Sequence, residues 1–174
     1  MTTWISTTES AKLQEKIVDP VQTEHSEDLQ LTGEVKQEIK GFGGCFNELG
    51  YQAIEQYVSE ENQETIYKEL FSPEELNFTF NRAPVGANDF AEKWYSYDEI
   101  DGDYSLDHFS VENDEHSLIP YIHHAQKYQP NLQLFSSPWS PPTWMKFPKV
   151  YNFGRLVMTP ENLTAYAQYF VKYV

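Results

Sequence analysis

Apolar and polar residues alternate with a period of two near the start of the chain, and the rhythm becomes helical after residue 40. Short alternating stretches at 3–6 and 34–39 predict half-buried strands. These stretches lie within residues 1–38, which are rich in polar side chains. We therefore predict that this part forms an antiparallel edge or a small β-subdomain rather than the start of a parallel core.

From residue 39 onward, the pattern predicts strands and helices in regular alternation. The expected strands are 39–45, 76–83 and 132–137, and the expected helices are 46–58, 60–71, 114–128 and 160–174. Thr159 and Pro160 suit the N-cap and first turn of the last helix. This order is typical of parallel βα units, and long loops after the strands favour a (β/α)₈ TIM barrel. Because a whole barrel needs roughly 250 residues, we predict an α/β fold with about three βα units of a partial barrel over residues 39–174.

Helical spacing also predicts which side of each helix is buried. Three apolar stripes follow from it: Leu49, Ala53 and Tyr57; Leu118, Ile122 and Ala125; and Leu163, Tyr166, Ala167, Phe170, Val171 and Val174.

Charge and cysteine content narrow the classes of partner. The chain has 27 acidic and 12 basic residues and a formal net charge of -15, so nucleic acid and anionic membrane surfaces are disfavoured and a neutral substrate fits best. The single cysteine, Cys45, allows no internal disulfide and no Cys/His metal site. Because we find no basic, apolar leader and no apolar run that could span a membrane, we expect a cytoplasmic protein, or a secreted one if a leader has been removed.

Acidic side chains crowd the long polar segment between the second strand and the next helix. Asp101-Gly102-Asp103 fails the EF-hand pattern because Leu106 stands where glycine is needed, so we predict no metal site and interpret most of the segment as a solvated loop. Asp89 differs because it comes shortly after a predicted barrel strand, where barrel enzymes place their functional residues. A carboxylate there could accept hydrogen bonds from two sugar hydroxyls.

A loop stiffened by prolines, at 136–146, holds Trp139 and Trp144. Aromatic residues make up 16% of the chain, and fixed indoles suit either a packed core or a site where flat rings meet a sugar. The loop sequence by itself leaves both interpretations open.

Other motifs give no catalytic group and no cofactor. Gly41, Gly43 and Gly44 do not match a nucleotide loop, and we interpret them as a strand end with close backbone packing. The histidines form no catalytic constellation, because His123 and His124 are neighbours on a predicted helix and point in different directions. Cys45 has no evident base, and no serine lies in a nucleophile-elbow sequence.

Four segments together resemble glycoside hydrolase family 30, the family of glucosylceramidase-type β-glycosidases. They are Gly41-Phe-Gly-Gly-Cys-Phe-Asn-Glu48, Arg82-Ala-Pro-Val-Gly-Ala-Asn-Asp-Phe90, Tyr95-Ser-Tyr-Asp98 and Ser137-Pro-Trp-Ser-Pro-Pro-Thr-Trp-Met-Lys146. The resemblance covers about residues 38–174 in unbroken order. It also implies that residues 1–38 are strands of the side β-domain that accompanies the family's barrel. Ala83 departs from the bulkier residue that is common in relatives, which bears on packing more than on chemistry.

The resemblance implies a retaining β-glycosidase with a carbohydrate or glycolipid substrate. Asp89 matches the aspartate that binds the glycone hydroxyls, and Trp139 matches the tryptophan that lines the same pocket; Phe90 and Trp144 match neighbours that shape it. Retaining hydrolysis uses two carboxyl groups about 5 Å apart, and the resemblance places both glutamates after later strands. We therefore assign no catalytic residue here and expect the 174-residue chain by itself to be inactive. Glucosylceramide-like lipids, β-glucans and xylosides remain open as substrates, and the rival interpretations are a sugar-binding module without catalysis and an inert truncated product.

Overall fold

The structure is a computed structural model, which describes residues 2–6, 10, 14–18 and 32–174. The chain divides into two compact units, Met1–Glu38 and Ile39–Val174. In the first unit, β1 (Thr2–Ser6) pairs with β2 (Gln14–Val18) in an antiparallel register that runs from Thr2 opposite Val18 to Ser6 opposite Gln14. The strand predicted at 3–6 is therefore confirmed.

The second alternating stretch, 34–39, forms no strand, so that prediction is wrong. Its residues are all exposed, and Val35 and Ile39 lie open to solvent. A period of two produces a half-buried strand only when one side has a surface to pack against. The alternation here has no such surface among the described residues.

The second unit is built on three parallel strand segments. β3 (Phe80–Val85) and β4 (Gln133–Pro138) pair in parallel, from Phe80 opposite Gln133 to Val85 opposite Pro138. On the other side of β3, residues 42–46 run parallel to it: the Arg82 amide donates to the Gly44 carbonyl, and the Phe46 amide donates to the Arg82 carbonyl, both at 2.9 Å. All three predicted strands are thus found in parallel order, β3 lying in the middle.

Helices follow each strand segment in turn. They are α1 (Glu48–Tyr57), α2 (Glu60–Phe71), α3 (Glu112–Glu115), α4 (Leu118–Tyr128) and α5 (Pro160–Tyr173). The beginning of α5 is as predicted, because the Thr159 hydroxyl accepts the Asn162 amide hydrogen and Pro160 occupies the first turn. This alternation makes the unit α/β, with part of a (β/α)₈ barrel.

The helix predicted at 114–128 is divided into α3 and α4 at His116 and Ser117. A proline in a continuous helix has no amide hydrogen, and its ring clashes with the carbonyl four residues earlier. For Pro120 that carbonyl belongs to His116. The helix therefore restarts at Leu118, which places Pro120 in a first turn where it does no harm.

Two clusters form the core of this unit. The first joins β3 to α5 and the loops, and its buried members are Val85, Tyr97, Leu106, Trp144, Met145, Ala165 and Tyr169. The second lies among α1, α2 and α4, and its buried members are Phe46, Tyr67, Phe71, Leu118 and Ala125. The stripe predicted for α4 is therefore confirmed at Leu118 and Ala125, while Ile122 is partly buried.

The stripe predicted for α1 is wrong, and the stripe predicted for α5 is confirmed only at Tyr166 and Phe170, which are partly buried against the first cluster. Leu49 and Tyr57 of α1 are exposed, as are Leu163 and Val171 of α5, whereas α5 buries Asn162, Ala165 and Tyr169. The Tyr169 hydroxyl accepts the Tyr97 amide hydrogen at 3.0 Å. The buried side of α5 is thus set by tyrosine rings and a hydroxyl contact, which aliphatic periodicity does not register.

A short antiparallel ribbon, β5 (Lys146–Phe147) and β6 (Arg155–Leu156), leads from the loop after β4 towards α5. In the described residues, no helix combines the length and the apolar character required to cross a bilayer.

Candidate functional site at the carboxyl ends of the parallel strands

Asp89 lies in a tight turn just beyond β3. Gly86 has a φ of +79° and turns the chain away from the sheet. The Asn88 side chain accepts the Phe90 amide hydrogen at 2.7 Å, and the Ala91 amide donates to the Asn88 carbonyl at 3.1 Å. These bonds fix the backbone on both sides of Asp89 and leave the Asp89 residue exposed.

The beginning of α1 holds this turn in place. Asn47 caps the helix by accepting the Gly50 amide hydrogen at 2.7 Å. The Leu49 amide then donates to the Phe90 carbonyl at 3.0 Å, and the buried Glu48 carboxylate accepts the Glu92 amide hydrogen at 2.9 Å. Glu48 therefore has a structural role in this chain.

Trp139 follows the last residue of β4 and is 47% exposed. Because β3 and β4 are hydrogen-bonded in parallel, and Val85 lies opposite Pro138, the turn with Asp89 and the loop with Trp139 leave the sheet at the same edge. Carboxyl ends of parallel strands are where α/β barrels place their sites. The location expected for both residues is therefore found, and their binding role remains a prediction.

The two loops are joined by contacts from Asp98 and Glu99. The Trp144 indole donates to the Asp98 carbonyl at 3.0 Å, and the Thr143 amide donates to the Glu99 carboxylate at 3.2 Å. The Thr143 hydroxyl donates to the same carboxylate. The sequence leaves undecided whether Trp139 and Trp144 pack in a core or meet a ligand. Trp144 is buried and packs in the core, whereas Trp139 reaches solvent.

Lys146 and Tyr151 form a second connection, which we call the buried link. The Lys146 ammonium, in a residue 5% exposed, donates to the Ser140 hydroxyl and to the Tyr151 carbonyl, each at 2.7 Å. Ser140 directly follows Trp139, and the Tyr151 hydroxyl donates to the Ala87 carbonyl on the Asp89 side. Burial lowers the pKa of Lys146, because it disfavours the charged ammonium group. The ammonium group nevertheless connects the two loops through its hydrogen bonds.

The acidic segment is mostly exposed, with two buried carboxylates. Asp98 and Asp114 are buried, while most of the other acids are exposed. Asp114 accepts the hydroxyl hydrogens of Tyr95 at 2.8 Å and Tyr97 at 2.5 Å. Burial raises the pKa of Asp114 above its ordinary value, and the two tyrosine hydrogen bonds oppose that effect. The expectation that most of the acidic segment is solvated is thus confirmed, with Asp98 and Asp114 as the exceptions.

Sequence patterns give no sign of several of these residues. Lysine is almost never fully buried, so nothing in the sequence distinguishes Lys146 from the other lysines. Tyr151 and Glu99 are equally ordinary in their local context. Within the described part of the chain, no group of three or more His, Cys, Asp or Glu side chains could hold a metal ion.

Comparison with known proteins gives the family. The model described as the glycosyl hydrolase family 30 TIM-barrel domain matches residues 39–174. This chain is therefore a member of glycoside hydrolase family 30, and residues 39–174 belong to the family's TIM-barrel domain.

Three similar proteins illustrate the range of the family. Putative glucosylceramidase 1 from Caenorhabditis elegans is 34% identical over 171 residues, which are 94% of this chain and 32% of that protein. Endo-1,6-beta-D-glucanase from Neurospora crassa is 30% identical over 144 residues, 80% of this chain and 30% of the relative. The crystal structure of SrfJ from Salmonella typhimurium superposes with a TM-score of 0.78 at 30% identity, covering 97% of this chain and 39% of SrfJ. The chain thus spans about a third of the length of the curated relatives that it matches.

Proposed function

We propose that this protein acts on β-glucosides as a retaining β-glycosidase, and that Asp89 and Trp139 bind the glycone sugar. The observation that carries the proposal is their placement beyond the paired carboxyl ends of β3 and β4. The names of the relatives, glucosylceramidase and endo-1,6-beta-D-glucanase, support a β-linked glucose as the glycone. The two names differ in the aglycone, which is a lipid in one and a further sugar in the other.

The chemistry of the two side chains suits this ligand. An ionised carboxylate such as Asp89 can accept two hydroxyl hydrogens in charge-assisted hydrogen bonds. A half-exposed indole offers a flat apolar surface to the C–H side of a sugar ring. Because the turn around Asp89 is fixed by Asn88 and by α1, and the Trp139 loop by the buried link, little ordering is needed when a sugar binds.

Hydrolysis with retention requires two carboxyl groups about 5 Å apart, one as acid/base and one as nucleophile. We assign neither role to a residue of this chain. We therefore propose that the 174-residue chain by itself binds the sugar weakly and does not cleave it. Clear turnover of an aryl β-glucoside by the purified chain would overturn this part of the proposal.

Sugar binding can be tested by following the indole N–H resonances of the four tryptophans. Methyl β-glucoside should move the Trp139 resonance with a Kd on the order of millimolar, while the buried Trp144 stays still. Asp89→Asn and Trp139→Leu should each abolish the saturable shift, because each removes one half of the contact. Lys149→Met, at an exposed lysine outside the proposed contacts, is the control and should bind as the parent does.

The results separate the proposal from its rivals. Saturable binding that depends on both residues supports the glycone site, and an inert product would show no saturable shift. A sugar-binding module without catalysis is distinguished in a chain that spans the full length of the curated relatives, where that rival predicts binding without hydrolysis of any β-glucoside.

A further inference from the structure

Asp98 is a buried carboxyl group with one unsatisfied oxygen. The residue is only 2% exposed. Its Oδ1 accepts the Ile100 amide hydrogen at 3.0 Å, whereas its Oδ2 is buried and has no hydrogen-bond partner among the described residues. An ionised oxygen that is buried without a donor is strongly disfavoured. The protonation state of Asp98 is therefore the question that this geometry raises.

Asp103 lies beside Asp98, close enough for the two carboxyl groups to interact through a hydrogen bond. Its side chain is 7% exposed. Its Oδ2 accepts the His108 amide hydrogen at 2.9 Å and lies 2.8 Å from His108 Nδ1, and its Oδ1 accepts the Ser105 hydroxyl hydrogen at 2.9 Å. Although burial opposes it, these hydrogen bonds hold the pKa of Asp103 well below its ordinary value.

The hydrogen bonds decide which of the two carboxyl groups carries a proton. Two neighbouring carboxyl groups repel each other when both are ionised. Asp103 has donors at both oxygens and therefore keeps its charge, whereas a proton on Asp98 Oδ2 can donate to Asp103 and so satisfies the oxygen that otherwise has no partner. Burial raises the pKa of Asp98, and the Asp103 carboxylate raises it further, while the Ile100 amide and His108 oppose the shift.

A bound cation does not account for the unsatisfied oxygen, because the acidic and histidine side chains in the described part of the chain form no group that could hold a metal ion. Asp107 faces His108 from the same loop. Other ionisable side chains line the same groove as Asp98 and His108: Lys93, Tyr95, Tyr97, Glu99, Glu112 and His116. The Asp98 carboxyl group itself contacts Asp103 and the Ile100 amide, so these two determine where its proton lies.

The backbone at Asp98 and the side chain of Glu99 hold the loop that follows β4. The Trp144 indole donates to the Asp98 carbonyl at 3.0 Å, and the Thr143 amide donates to the Glu99 carboxylate at 3.2 Å. This loop also carries Trp139. Because a second charge at Asp98 would be repelled by Asp103, and Trp144 bonds to the carbonyl of the same residue, ionisation of Asp98 should disturb the Trp144 contact.

We propose that Asp98 is a positioning residue: it stays neutral at a pH at which exposed aspartates are ionised, donates its proton to Asp103, and thereby fixes the loop after β4. The contribution of this proton to stability is complete below about pH 3.9 and is lost as the pH rises through the raised pKa of Asp98. The consequence for sugar binding at Trp139 rests on the proposed function, whereas the proton and the Trp144 contact do not.

The test follows the Asp98 carboxyl carbon and the Trp144 indole N–H by NMR in the ¹³C- and ¹⁵N-labelled chain, from about pH 3 to about pH 8. We expect Asp98 to titrate above its ordinary value and the Trp144 resonance to move with the same midpoint. Asp98→Asn should keep that resonance at its acid position at every pH, because the amide can donate to Asp103 and accept from Ile100 as the neutral acid does. Asp98→Ala has no donor and should displace the resonance at every pH.

Two further variants identify the partner of the proton. Asp103→Asn removes the charged acceptor and should lower the Asp98 midpoint. Asp107→Asn is the matched control in the same loop: Asp107 is exposed and its carboxylate accepts the Ser105 hydroxyl hydrogen at 2.9 Å, so the Asp98 midpoint should stay close to that of the parent.

An Asp98 that titrates at or below about 3.9 would refute the shared proton. The positioning role is refuted if the Trp144 resonance stays still through the Asp98 titration, or if Asp98→Asn and Asp98→Ala place it at the same position. If Asp98 and Trp144 titrate together but methyl β-glucoside binds at no pH, the proposed function fails and this inference stands. A Kd for methyl β-glucoside that stays constant through the Asp98 titration would keep the glycone site and refute its control by Asp98.

Discussion

Replacing Lys146 with methionine tests whether the buried link holds the two site loops together. Methionine keeps most of the apolar volume of the lysine stem but removes the ammonium group, which donates at 2.7 Å to the Ser140 hydroxyl and the Tyr151 carbonyl. Hydrogen bonds from a charged donor are worth roughly 1.5–3 kcal/mol each. Part of this is offset because the ammonium no longer has to be stripped of water. We expect a net loss of about 2 kcal/mol in the free energy of unfolding.

Urea unfolding followed by tryptophan fluorescence measures this loss. With an m-value of about 2 kcal/mol/M, the midpoint should fall by about 1 M at unchanged m. Lys149→Met is the matched control from the same β5–β6 ribbon: Lys149 is exposed and pairs with the exposed Asp101, so its loss should cost at most about 0.5 kcal/mol.

The same variant should also weaken sugar binding, because Ser140 follows Trp139 directly in the loop. The Trp139 indole resonance should shift in Lys146→Met even without ligand, and the Kd for methyl β-glucoside should rise. A variant that matches the parent in midpoint and in the Trp139 resonance would show that the link does not set the geometry of the site.

Three further predictions follow from other parts of the structure. Gly43→Ala should cost about 1–3 kcal/mol of stability or more, because the new Cβ would lie 2.1 Å from a backbone oxygen of the neighbouring strand. Gly44→Ala is the control: its Cβ would meet nothing within 4 Å, so it should cost under about 1 kcal/mol in the same urea assay. Equal losses would contradict the packing argument. The hydrogen bond to Asp103 raises the pKa of His108. The contribution of this pair to stability is therefore complete below about pH 6.5 and disappears as the pH rises through the raised pKa. An NMR titration of the imidazole should show the raised pKa, and Asp103→Asn should return it towards 6.5. Burial raises the pKa of Tyr166 to about 12. The stability that depends on its neutral hydroxyl is therefore complete below about pH 10 and is lost as the pH rises above it. Phenolate absorbance should show a class of tyrosines that ionises only in strong alkali, and titration of every tyrosine near about pH 10 in the folded chain would refute the prediction.

Local signals in the sequence predict the elements best where the chemistry itself is local. Thr159 and Pro160 determine the beginning of α5 through one side-chain hydrogen bond and one fixed φ angle. Pro120 carries an equally local rule, and applying it to the carbonyl of His116 would have placed the break between α3 and α4. Among the glycines at 41–44, Gly43 behaves as expected because it allows close approach of two backbones, whereas Gly44 has open space around its Cβ position.

Contacts between distant segments could not be predicted in this way. The buried side of α5 depends on Tyr169 reaching the amide of Tyr97, a residue on another loop. The burial of Lys146 depends on the Tyr151 carbonyl and the Ser140 hydroxyl being brought together by the ribbon that begins at β5. Each of these is a hydrogen bond whose partner is defined only by the tertiary structure, so neither periodicity nor residue type indicates it.

The distribution of polar residues around the site follows from where the sheet stops. Strand pairing fixes only the points at which the loops leave β3 and β4, and beyond those points the geometry depends on hydrogen bonds between side chains and backbone. Glu48 and Lys146 are buried, and their charged groups form hydrogen bonds to the loops, Glu48 with a backbone amide and Lys146 with a hydroxyl. Asp89 and Trp139, in contrast, are exposed. The residues proposed to bind the ligand and the residues that hold the loops are thus different sets. Substitutions in the first set should change affinity alone, and substitutions in the second should change affinity and stability together, because the same hydrogen bonds serve both.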